Sequence, residues 1–75
     1  MALVDEVRDA RRLPGPAVRR EIRRTAGLSQ QRSADHLGVH VQTFIRWESG
    51  RVEPRFEHKA RYARFLAELT EAGQS

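Results

Sequence analysis

Residues 30–50, QQRSADHLGVHVQTFIRWESG, decide how this 75-residue chain folds. Ser29 is a good N-cap, because its hydroxyl can accept from an amide of the first helical turn. It predicts a short helix over residues 30–37, although Arg32 rather than Glu or Gln leaves the capping box incomplete. Gly38 marks a tight turn, and a second short helix follows His40, a mediocre cap, to end at Ser49-Gly50. Helical spacing directs Ala34, Leu37, Val39, Phe44 and Trp47 inward. It leaves Val41, Gln42, Ile45 and Arg46 facing outward from the second helix.

Charge is concentrated around this unit. Residues 17–64 carry ten Arg and one Lys against five acids, whereas residues 1–16 are neutral and residues 65–75 carry −2. A positive field on that segment suits a polyanionic partner. Thirteen of the fourteen basic residues are Arg, whose planar fork makes bidentate contacts to phosphate or guanine. Two short helices across a glycine turn form the helix-turn-helix unit, which lays its second helix in the DNA major groove. The free amides opening the first helix, with Gln30 and Gln31, make a natural phosphate site. Basic charge alone also fits an Arg-rich solvated helical surface, so the weight falls on the motif.

Outward from the unit, Pro16 suits the first position of a helix ending at Ala26, with Gly27 as a left-handed terminator. Val18, Ile22 and Ala26 form its expected buried stripe, and Arg19, Arg20, Arg23 and Arg24 cover the rest. Such crowding calls for a buried carboxylate or a phosphate backbone nearby. Pro54 opens the last helix, unbroken to Gly73, with Phe56, Ala60, Ala63, Leu66 and Leu69 or Ala67 as its core stripe. Tyr62 and Phe65 fall to one side, and with Leu69 they offer a dimer surface. The expected organisation is an all-α domain over residues 16–72 of four to five helices, with a long C-terminal one. Residues 1–15 form an arm or short helix, and 73–75 a disordered tail.

Several classes are disfavoured. There is no cysteine, hence no disulfide framework or thiolate metal site. No apolar run approaches the roughly 20 residues of a membrane span, and the start, MALVDEVRDARR, lacks a secretory apolar run. The expectation is a soluble cytoplasmic protein without a cofactor. His36 and His40 are separated by the Gly38 turn and have no obvious third ligand, so no metal is expected. No spacing of Ser or acids suggests a nucleophile or a carboxylate pair, which argues against an enzyme.

The run RREIRRTAGLSQQRSADHLGVHVQTFIRWESGRVEPR resembles the Xre/Cro-type helix-turn-helix domain of phage repressors and bacterial regulators. The likeness rests on Arg23 seven residues before Gln30, then GLSQ, Ala34, LGV, WESG and the closing Pro54. It implies a structural ion pair between Glu48 and Arg23. It also implies that Gln30 grips a phosphate or supports the recognition helix, and that Val41, Gln42, Thr43 and Arg46 face DNA. Gln42 suits the N6 and N7 of adenine, Arg46 the O6 and N7 of guanine, and Val41 a thymine methyl. Arg51 and Arg55 suit phosphates, with His40 beside them.

Three features depart from the family pattern. Ser33 stands where a large apolar residue is preferred, which suggests a loosely packed first helix of the pair. His40 replaces a Ser or Thr cap, and the second LGV-like turn is missing, which puts the usual dimer surface in doubt. The function implied is sequence-specific binding of double-stranded DNA by a homodimeric transcriptional repressor. A protein-interaction module, such as an antitoxin or anti-repressor docking through its last helix, is the competing class. A MerR- or excisionase-like winged binder is a second, and needs a β-hairpin within residues 51–61.

Overall fold

The computed structural model describes residues 12–74, and side chains to residue 72. The expected N-terminal helix and residue 75 of the tail lie outside the described residues. Four helices follow in order: α1 Pro16–Thr25, α2 Gln30–Leu37, α3 Val41–Ser49 and α4 Phe56–Gln74. No strand occurs among the described residues. Helix occupies Phe56–Gln74, so the hairpin required by a winged binder is not formed. None of these helices is long and apolar enough to cross a membrane.

Local chemistry sets each boundary. Pro16 lies in the first turn of α1 behind an extended Gly15. Ser29 Oγ accepts from the Arg32 amide at 3.0 Å, which satisfies one of the orphan donors that every helix start carries. Gly38 and Gly50 terminate α2 and α3 with φ of 70° and 78°, a left-handed conformation that L side chains avoid. Gly50 has a second reason to lack a side chain, since a Cβ there would meet Pro16 Cγ at 2.6 Å. The α3 terminus is thus seated directly on the first turn of α1.

The core lies where α3 and α4 close over α2. Ala34, Leu37, Phe44, Trp47, Tyr62 and Leu66 form it, with Leu13, Ile22, Val39 and Phe65 packed at its edge. The ring of Tyr62 lies 5.5 Å from that of Phe44 and 5.9 Å from that of Trp47, in tilted geometry. Tilted pairs suit the aromatic quadrupole and add to the apolar area buried.

Several expectations need correction. Tyr62, assigned to a dimer surface, is completely buried, because α4 is rotated to bring Tyr62, Ala63 and Leu66 onto the core. Phe56, assigned to the core, is 88 % exposed, since α4 begins there and first enters the core at Tyr62, nearly two turns later. Pro54 is buried within the loop, and helix geometry starts two residues later than that proline suggests. In α1, Val18 is 50 % exposed and Arg19 is buried, and Ala26, just past the helix end, is exposed. The inward stripe of α1 is Arg19, Ile22 and Arg23.

Ser33 is another. Its site is closed rather than loose, with no solvent exposure and with Oγ donating to the Ser29 carbonyl at 3.0 Å. The last helix, α4, continues to Gln74.

Candidate nucleic-acid interface

The inner face of α3 is fixed by two arginines from α1. Arg23 Nε donates to Glu48 Oε2 at 2.6 Å, and its Nη1 donates to the Leu28 carbonyl at 2.7 Å. Gln30 Nε2 donates to the other carboxylate oxygen, Oε1, at 3.1 Å. Glu48 is almost wholly buried, so both of its oxygens exchange water for protein donors. Gln30 thus places its amide nitrogen on a carboxylate of α3.

Arg19 lies one turn earlier on the same stripe, and sequence reasoning missed it. Its Nη1 donates to the Trp47 carbonyl at 2.7 Å and its Nε to the Pro14 carbonyl at 2.6 Å. Nη2 reaches both oxygens of Glu53 at 3.1 Å. Trp47 and Glu48, adjacent in the last turn of α3, are therefore each held by a guanidinium, where cations are favoured by the helix dipole. Two of the four crowded arginines of α1 are paired with carboxylates, which explains how α1 tolerates them. A sequence signal existed: if Arg23 faces inward, a residue four positions earlier shares its face.

The outer face of α3 is unoccupied by protein. Gln42, Arg46 and Ser49 are exposed along one helical stripe, and Thr43 and Ile45 are half-buried beside it. Val41, expected to face outward, is half-buried and packs partly against the core. At the start of α3 the side chain of His40 makes no capping bond, so the first amides remain open beside its exposed imidazole. Ser49 Oγ accepts from the Arg51 amide and donates to the Arg46 carbonyl, which shapes the turn into the loop. Arg51 and Arg55 are exposed on that loop. Among the described residues, Arg46, Arg51 and Arg55 form no ion pair. Gln31 is exposed and donates to Asp35 Oδ1 at 3.0 Å.

No group of three or more His, Cys, Asp or Glu side chains among the described residues is placed to hold a metal ion. His36 and His58 are instead ring neighbours of Phe65 and Trp47, at 5.7 and 5.4 Å. The Tyr62 phenol is pushed well above its usual range, first by burial and then by the charge of Glu48. It is therefore a neutral core group.

A short helix locked from behind, with a polar outer face flanked by free cations, defines a helix-turn-helix DNA-binding domain. The chain belongs to the helix-turn-helix domain family, whose model matches residues 20–72. That match takes in α2, α3, the loop and nearly all of α4. No curated protein and no solved structure matches the chain.

Proposed function

We propose that this domain is a sequence-specific binder of double-stranded DNA that acts as a transcriptional repressor, reading the major groove with α3. The observation that carries this reading is the stripe of exposed Gln42 and Arg46 on a helix whose opposite face is clamped by Arg19 and Arg23. Rigid support matters because a bidentate base contact tolerates little displacement. Gln42 suits adenine, Arg46 suits guanine, and half-buried Val41 and Thr43 offer apolar or hydroxyl contacts to neighbouring bases. Gln31, His40, Arg51 and Arg55 grip phosphates, which fixes register without reading sequence. Gln30 acts through Glu48.

A nine-residue reading helix spans few base pairs. Two copies on a two-fold site supply the remainder. With Tyr62 withdrawn into the core, half-buried Phe65 and Leu69 are the residues left to a dimer contact on α4. The protein-interaction reading draws on Phe56, an aromatic ring almost fully exposed at the start of α4.

Selection of bound duplexes from a random pool, followed by mobility shifts across a salt series, tests the proposal. A defined motif is expected, bound with affinity that falls steeply with salt. Equal affinity for all duplexes would remove sequence-specific readout, and no binding at low salt would favour the protein-partner reading.

A further inference from the structure

Arg19 occupies an inward position of a helix in a small domain, where an apolar side chain would ordinarily serve. It is 3 % exposed and uses all three nitrogens of its guanidinium. Its partners come from three places in the chain: Pro14 ahead of α1, Trp47 in the last turn of α3, and Glu53 in the loop to α4. The first two are carbonyls that a buried cation satisfies permanently. The third differs, because the Glu53 side chain is 54 % exposed while that of Arg19 is 4 % exposed. The half-solvated carboxylate keeps part of its hydration, so its own desolvation cost is small. Both of its oxygens nevertheless lie at 3.1 Å from one nitrogen, which fixes where the loop sits.

That loop carries Arg51 and Arg55 on either side of Glu53, whereas α3 carries Gln42 and Arg46. Phosphate contacts set register and base contacts specify, so the distance between these two groups decides whether both can be satisfied together. One guanidinium is bonded to both supports. We infer that Arg19 and Glu53 form a positioning pair that sets the loop arginines in register with the reading face of α3, so that the pair governs DNA specificity. The inference rests on the DNA-binding reading above. It adds a specificity role for two residues that touch no base.

The test uses the full chain with Glu53→Ala and Glu53→Gln, each checked for helical content and thermal melting. The readout is the ratio of affinities for the selected duplex and a scrambled duplex of equal length. Removing a negative charge beside DNA strengthens binding to both duplexes by a similar factor, so charge alone leaves the ratio unmoved. Glu53→Ala is expected to lower the ratio by about tenfold, the low end of what one bidentate base contact supplies. Glu53→Gln keeps an acceptor oxygen for Arg19 and is expected to stay within about threefold of the parent, on the same scale. An unchanged ratio in both variants, or an equal fall in both, overturns the inference. A parent protein with no preference between the duplexes refutes the underlying DNA reading instead.

Discussion

Arg23 of α1 and Glu48 of α3 meet at 2.6 Å with side-chain exposures of 12 % and 1 %. Gln30 closes the remaining oxygen of that carboxylate from α2, so one buried charge joins three helices. Such a pair is costly to desolvate, and it holds only while both partners are present. Glu48→Ala leaves Arg23 largely buried without its counter-charge and is expected to destabilise the domain by about 3–5 kcal/mol. Urea unfolding followed by helical circular dichroism measures this, and a loss under about 1 kcal/mol would place the pair among weak surface contacts.

Ser33 tests how tightly the α2 side of the core is closed. Its Oγ donates to the Ser29 carbonyl, which also accepts from the Ser33 amide at 3.1 Å. Ser33→Ala therefore leaves that carbonyl satisfied and is expected to cost about 1 kcal/mol or less. Ser33→Leu, which restores the apolar residue typical of the resembling family, has no room and is expected to destabilise by about 1–3 kcal/mol. Denaturation midpoints of the two variants should fall in that order.

Much of this architecture is legible in the sequence because it depends on short-range chemistry. Ser29, Gly38, Gly50 and the inward spacing of Ala34, Leu37, Phe44 and Trp47 each act within a turn or two of chain. Sequence is silent where partners lie far apart along the chain. Arg19 reads as surface until Glu53, 34 residues away, and the Trp47 carbonyl become its neighbours. The rotation of α4 was equally hidden, since Phe56, Tyr62 and Phe65 have similar hydrophobicity and only docking decides which one is buried. At the site, helical periodicity separates Gln42 and Arg46 from the core. It cannot foresee that Val41, at the first helical position, leans inward.

Tyr62 gives the domain a pH-dependent component of stability at the alkaline end. Its hydroxyl is buried without a hydrogen-bond partner among the described residues, and burial with the Glu48 charge raises its pKa above the usual phenol value. The folded state therefore binds a proton that the unfolded chain releases once pH passes about 10. That contribution is complete below the unfolded value and is lost as pH rises through the folded one. Stability measured from pH 8 to 11 should decline, and Tyr62→Phe should flatten the decline. At neutral pH the same variant is expected to cost little or to stabilise, because it deletes an unpaired buried hydroxyl.

Gly50 and Gly38 separate backbone strain from crowding. Both have left-handed φ, so alanine at either is expected to cost about 1–2 kcal/mol from conformation alone. Around Gly38 a Cβ would meet nothing within 4 Å, whereas at Gly50 it would strike the Pro16 ring at 2.6 Å. Gly50→Ala should therefore be the more destabilising variant, and it should also pry α3 from the first turn of α1. Equal melting temperatures for the two variants would show that Pro16 yields freely.

Within the proposed function, the exposed residues of α3 and of the loop predict different signatures on DNA. Arg46→Ala is expected to lose about 1–3 kcal/mol for the selected duplex and to relax the choice at a single base pair. Gln42→Ala should behave alike at a neighbouring base pair. Arg51→Ala and Arg55→Ala should weaken binding to every duplex to a similar degree and reduce the salt slope by about one counterion each. Mobility shifts with selected, singly substituted and scrambled duplexes at several salt concentrations distinguish the two patterns. If Arg46→Ala acts like the loop variants, lowering the slope without changing preference, α3 lies against the backbone rather than in the groove.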